Sequence, residues 1–153
     1  MQRRMLVGLA MAAAFGLAAC GGSDDPVPTA ATGGSAFGVS LNAIRADSGL
    51  APLSHDARLD IAAGSHVADM AARGYFSHNS PDGGTLSSRV ADTGYQACFA
   101  AENIAQGQLT EAEVLASWMG SSGHRQNILA QEAEGFGLGR SGDLWVLVLG
   151  ASC

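Results

Sequence analysis

Lysine is absent from this chain. All eight basic residues are arginines, set against fourteen acids for a net charge of −6. No basic patch is available for a phosphate backbone, so nucleic acid is not an expected partner. Charged residues make up only 14% of the chain and aromatics 6%, with four histidines in all. No uncharged apolar run approaches the roughly 20 residues that a spanning helix needs. The sequence has no His-Glu-x-x-His helix of the metalloprotease kind and no strand-to-helix nucleophile elbow. It carries no internal repeat.

What is present begins at the N-terminus. Arg3 and Arg4 precede an uncharged apolar run from Met5 to Leu17, followed by Leu17-Ala18-Ala19-Cys20. This reads as a secretory signal over residues 1–19. Small residues leading into Cys20 resemble the bacterial lipobox, which implies lipid attached to that cysteine. The alternative is an ordinary signal peptide with a chance cysteine nearby. Residues 20–35 are rich in Gly, Ser, Thr, Pro and Ala, with Asp24-Asp25 as their charges. So polar a segment cannot offset its ordering entropy and is expected to be a flexible tether. The expected location is extracytoplasmic, in the cell envelope, with the membrane engaged through lipid on Cys20.

Three cysteines are an odd number for a secreted protein. With Cys20 used by lipid, Cys98 and Cys153 remain, and an oxidising compartment favours their pairing, two free thiols being the alternative. The remaining stretch, residues 36–153, is one domain in length and is expected to be monomeric.

Periodicity places helices in that domain. Phe37, Leu41 and Ile44 have helical spacing, with Gly49 as a stop. A longer helix from about Asp56 to Arg73 carries the stripe Leu59, Ala62, Ala63, His66, Val67 and Met70 and ends at Gly74. Leu86 to Asp92 makes a short helix, and Thr110-Glu111-Ala112-Glu113 is a capping box for a helix burying Val114, Leu115 and Trp118. A short helical piece is expected around His124 to Leu129. Strands are expected over Ala100–Gln106 and in a hairpin of Gly135–Arg140 with Leu144–Leu149, the latter apolar without alternation and so covered on both faces. The expected class is α+β, a three-layer α-β-α sandwich with a small central antiparallel sheet.

Three segments hold the chemistry: Phe76-Ser77-His78, Ala101-Glu102-Asn103-Ile104 and Gly123-His124-Arg125-Gln126-Asn127-Ile128-Leu129. They contain two of the four histidines and one of five glutamates, each where the chain turns. His78, Glu102 and His124 are the candidate site residues, with His78 and His124 the candidate metal ligands. Two imidazoles and a carboxylate suit zinc or another divalent cation, with a position open for water. Asn127 is expected to bond loop backbone and Arg125 to pair with an acid. His66 is expected to pack in the core, and His55 to be a solvated turn residue.

These segments, with Leu41-Asn42-Ala43-Ile44-Arg45, Gly49-Leu50-Ala51-Pro52-Leu53, His66-Val67-Ala68-Asp69-Met70, Pro81-Asp82-Gly83 and Phe136-Gly137-Leu138-Gly139, resemble the bacterial CAP superfamily. That group comprises cysteine-rich secretory, antigen 5 and pathogenesis-related proteins, and the resemblance runs from Phe37 to Leu149. It implies an α-β-α sandwich with a central cleft that, in eukaryotic members, holds two histidines and two glutamates. His78 matches the first histidine and Glu102 the first glutamate. The second glutamate's position is Ser121, and the strand that should bring the second histidine, Leu144–Leu149, has none. His124, in the Gly-His-Arg motif of bacterial members, is the candidate replacement. The tetrad is at best a triad here.

Two function classes follow. The first is a displayed, non-enzymatic module whose site binds a metal ion or a small-molecule, lipid or protein ligand. The second is a metal-assisted or serine-dependent hydrolase using the same residues. The incomplete catalytic set favours the first.

Overall fold

The computed structural model describes residues 35–153. The expected signal, Cys20 and all of the expected tether except Ser35 lie outside the described residues. Five helices and four strands follow in the order α1 (Ala36–Asp47), β1 (Ser54–His55), α2 (Ala57–Arg73), α3 (Leu86–Asp92), β2 (Ala97–Gln106), α4 (Glu111–Gly120), α5 (Ser122–Ile128), β3 (Gly135–Ser141) and β4 (Leu144–Ser152). Among the described residues no helix is long and apolar enough to cross a membrane.

The helices start where side-chain acceptors meet free backbone donors. Ser35 accepts from Gly38 N at 3.2 Å, and Asp56 from Arg58 N at 2.9 Å. Thr110 accepts from Glu113 N at 3.2 Å while Glu113 accepts from Thr110 N at 3.1 Å, so the expected capping box forms in full. Helix α2 ends on Gly74 in the left-handed region, φ 69°, a conformation that glycine adopts without a Cβ clash.

The strands form one sheet in the order β1-β3-β4-β2. Strand β4 is central and buried from Leu144 to Ala151. Trp145, Leu147 and Leu149 pack on one side with Phe37 and Leu41 of α1 and with Leu115 and Trp118 of α4. Val146 and Val148 pack on the other with Leu59, Ala63 and Val67 of α2 and Val90 of α3. This is the three-layer α-β-α sandwich. One refinement concerns the sheet: β3, β4 and β2 are antiparallel, but β1 runs parallel to β3, so the sheet is mixed. A two-residue strand leaves no periodicity to read.

Helix α2 lies directly on the backbone of β3. A Cβ on Gly137 would fall 2.1 Å from the Leu59 carbonyl carbon, and one on Gly139 2.6 Å from that of Ala63. Asp60 seals this contact by accepting from Leu138 N at 2.8 Å. Two further ties hold the rest. Cys98 and Cys153 are disulfide-bonded, joining β2 to the end of the chain. Arg45, buried in α1, donates to the carbonyls of Ala51, Ile128 and Ala130 at 2.7–2.9 Å, fastening α1 to the end of α5.

Candidate functional site at the edge of the sheet

Strand β2 is an outer strand, and adjacent residues on it point to opposite faces. Glu102 pairs with Val148, which in turn pairs with Gly137, and so faces α2 and α3. Asn103 faces α5. The two residues gather different partners, and together they bring the three segments into one place.

On the first face, the Glu102 carboxylate is almost fully buried, its side chain 2% exposed. His78 donates to its Oε1 from Nδ1 at 2.8 Å, and Arg89 of α3 donates to its Oε2 from Nη2 at 2.7 Å. The same Nη2 donates to the backbone carbonyl of His78 at 3.1 Å. Arg89 therefore holds both the acid and the loop that carries its histidine. His66 lies behind, fully buried, with Nε2 3.9 Å from Glu102 Oε1 and donating to Ser77 O at 2.9 Å. The loop is braced at its other end by Tyr75, whose hydroxyl donates to Asp69 and accepts from the Ser80 hydroxyl at 3.1 Å, and by the Arg73–Asp82 pair at 3.0 Å.

On the second face, Asn103 donates to the carbonyl of His124 at 3.0 Å. Asn127 donates to Asn103 Oδ1 at 2.8 Å and to the outward carbonyl of Glu102 at 3.2 Å. Trp118 Nε1 donates to the next outward carbonyl, Ile104 O, at 3.2 Å. Side chains thus occupy acceptors that an outer strand would otherwise offer to another strand. Asn127 does bond backbone as expected. Arg125, expected to pair with an acid, is exposed and has no ion pair among the described residues; the nearest structural reason is that α5 turns it outward while Asn127 turns in.

Burial pushes the His66 imidazole below its ordinary pKa; Glu102 opposes this and Arg89 adds to it. His124 is lowered by burial first and then by the charge of His78. His55 pairs with Asp60 and packs its ring against Phe136, away from the site.

The sequence reading named His78, Glu102 and His124 as candidates. The fold sets His78 against Glu102 and brings the His124 carbonyl to Asn103. His66, expected in the core, is there and lies beside Glu102. The sequence reading missed Arg89. A lone arginine on a seven-residue helix belongs to no motif, and only the folding of α3 against β2 brings it to the acid.

The residues fit zinc poorly. Both oxygens of Glu102 already accept hydrogen bonds, and one bonds a guanidinium, whose charge repels a nearby divalent cation. Among the described residues no three His, Cys, Asp or Glu side chains are grouped to hold a metal. Three surface depressions, of about 440, 320 and 210 Å³, lie elsewhere, and none is lined by His78, Glu102 or His124.

Known proteins resemble this chain in sequence and in fold. The model of the cysteine-rich secretory protein (CAP) family matches residues 40–145. The uncharacterized protein YkwD of Bacillus subtilis (strain 168) is 41% identical over 106 residues, which cover 68% of this chain and 41% of YkwD. The chain thus spans about two fifths of that relative's length. A crystal structure of an extracellular protein containing a SCP domain, from Bacillus anthracis str. Ames, aligns with a TM-score of 0.74 at 31% identity, covering 76% of this chain and 39% of that one. An outer surface protein from Borrelia burgdorferi aligns with a TM-score of 0.72 at 18% identity, over 77% of this chain and 91% of its own, and so shares the fold. The chain belongs to the CAP family of cysteine-rich secretory proteins.

Proposed function

We propose that this protein is an extracytoplasmic CAP-domain module, anchored by lipid on Cys20, that binds a ligand at the edge of β2 without turning it over. One observation carries the reading: the acid of the site is spent. A general acid or base needs a carboxyl free to exchange protons with substrate, whereas Glu102 is buried and its two oxygens are held by His78 and Arg89. What remains for a ligand is imidazole. His78 is 54% exposed, and with Nδ1 tied to Glu102 its Nε2 has no partner among the described residues. His124, half-buried across the edge of β2, is the second contact. The extracytoplasmic location is supported by the sequence signal and by the extracellular and outer-surface relatives.

A hydrolase is the second reading, because an imidazole oriented by a buried carboxylate is the arrangement of a catalytic base. It lacks a nucleophile: no serine hydroxyl is hydrogen-bonded to His78 or His124 among the described residues, and Ser77 and Ser80 serve the loop itself.

Two assays test the proposal. The full chain is incubated with casein and with p-nitrophenyl acetate beside His78→Ala; equal background turnover is expected, and turnover abolished by the substitution establishes the hydrolase instead. Cys20→Ser is expected to move the protein from the membrane fraction to the soluble one. Continued membrane association of the processed variant removes the lipid anchor from the proposal.

A further inference from the structure

We infer that Arg89 is the resident cation of this site: it occupies the electrostatic place that a divalent metal ion would take beside Glu102, and it excludes such an ion from the wild-type chain. The inference rests on reading the edge of β2 as the binding site, and it concerns what that site can accept.

The argument begins with charge. A carboxylate as buried as Glu102 needs a compensating cation. Its neighbours offer three. His66 is the deepest, but burial favours its neutral form, and its Nε2 is committed to Ser77 O. His78 has its side chain 54% exposed, so water screens what it can offer a buried carboxylate. Arg89 is always protonated, its side chain is only 9% exposed, and its Nη2 stands 2.7 Å from Glu102 Oε2. It is the permanent counter-ion.

Geometry then adds a second role. A metal ion in such a site would fix the histidine loop by bonding an imidazole. Arg89 fixes the same loop from the backbone, donating to His78 O from the nitrogen that also holds Glu102. Glu102 in turn fixes the His78 ring through Nδ1. One guanidinium thus sets the acid, the loop and, through the acid, the imidazole. Arg89 is a positioning residue in this sense.

The remaining nitrogens of Arg89 show what keeps it there. Nε and Nη1 are buried and make no hydrogen bond among the described residues. The guanidinium is not held by a general mesh of acceptors; Glu102 and the His78 carbonyl are the partners that retain it. Replacing it with a neutral side chain frees one carboxylate oxygen, in a setting where His78 and His66 stand within 2.8 and 3.9 Å of the other. His66 stays committed to Ser77 O, so the freed carboxylate oxygen and the His78 imidazole are the two donors left for a divalent cation, with its other positions filled by water.

The test is a calorimetric titration of zinc chloride into the full chain purified in detergent. Arg89→Met, Arg89→Lys and the double variant Arg89→Met/Glu102→Gln run beside it. The wild type and Arg89→Lys, which keeps the charge, are expected to show no one-to-one binding. Arg89→Met is expected to take one zinc per chain, at least tenfold more tightly than the wild type, and to lose it when Glu102→Gln is added. If Arg89→Met does not fold, Arg89→Gln supplies the same neutralisation. Two results overturn the inference. One is a wild-type chain that binds one zinc and loses it in Glu102→Gln; this arm needs no Arg89 variant. The other is a folded neutral variant that binds no better than the wild type. Zinc uptake by the wild type would leave the anchored binding module standing, while hydrolysis lost in His78→Ala would remove that reading and leave the role of Arg89 to the titration.

Discussion

Gly137 of β3 and Leu59 of α2 are packed so closely that no side chain fits between them: a Cβ on Gly137 would sit 2.1 Å from the Leu59 carbonyl carbon and 2.2 Å from Asp60 N. Both contacts are backbone, so nothing flexible can give way. The depth at which α2 settles on the sheet is set here, and with it the distance from His66 to Glu102. Gly137→Ala is expected to destabilise the fold by about 3 kcal/mol, at the upper end of the cost of overpacking, as read by urea denaturation. Gly64 on the same helix has nothing within 4 Å of a built Cβ. Gly64→Ala is therefore expected to be neutral or to stabilise by up to about 1 kcal/mol through helix propensity. Equal effects at the two positions would refute the close-contact account.

Among the described residues Arg45 is a cation with no carboxylate partner. It is buried, and its bonds run to backbone carbonyls of Ala51, Ile128 and Ala130. Ile128 is the last residue of α5, where the helix carbonyls carry partial negative charge that stabilises a cation, and Ala130 follows just beyond it. Arg45→Met keeps much of the volume but leaves those acceptors unpaired. A loss of about 3 kcal/mol is expected, at about 1–3 kcal/mol for each buried polar group left without a partner and partial relief by water. Thermal unfolding checks the loss. Because α5 carries His124, the His124 ring signals in NMR spectra of the folded variant should shift as well. An unchanged melting temperature would show that the clamp contributes little.

The disulfide closes a loop between residues 55 apart in sequence. In the chain-entropy account, a loop of this size confers roughly 4 kcal/mol by restricting the unfolded chain. Cys98→Ser combined with Cys153→Ser is expected to lower stability by about that amount, with the larger part of the effect absent when wild type and variant are compared under reducing conditions. Thiol labelling of the native protein should find neither cysteine free.

Much of this molecule is readable from its sequence, for physical reasons that particular residues make plain. Helix α2 announces itself because Leu59, Ala62, Ala63, His66, Val67 and Met70 repeat along one face and Asp56 and Gly74 mark its ends. His78 and Glu102 stand out because a polar, titratable residue among turn-forming or apolar neighbours needs a reason to be there. Cys98 and Cys153 pair by simple counting. Arg89 and β1 are illegible for a shared reason. Neither has local pattern: β1 is two residues long, and Arg89 acquires its role only from a long-range contact between α3 and β2. The opposite facing of Glu102 and Asn103 was implicit in the strand period, but which helix each would meet depends on the order of strands in the sheet.

Stability should fall as the pH drops through the histidine range. Burial lowers the pKa of His66 in the folded protein, with Arg89 contributing and Glu102, Asp69 and the Ser77 carbonyl opposing. The unfolded chain keeps the ordinary value near about 6.5. Between the two values the unfolded state binds a proton that the folded state does not, so stability rises with pH there and is lost on acidification. His124, also lowered, acts in the same direction. The slope is bounded at about 1.4 kcal/mol per pH unit for each histidine. The carboxylates of Asp56, Asp69 and Asp82 are lowered from an already acidic range by their arginine and tyrosine partners, so their contributions disappear only at still lower pH. Melting temperatures between about pH 7.5 and 5.5 therefore isolate the histidines. A decline is expected in the wild type and a shallower one in His66→Gln, whose amide can still donate to Ser77 O but takes up no proton. A wild-type melting temperature that is flat across that interval, or a His66→Gln profile as steep as the wild type, would mean that His66 is not the group being titrated.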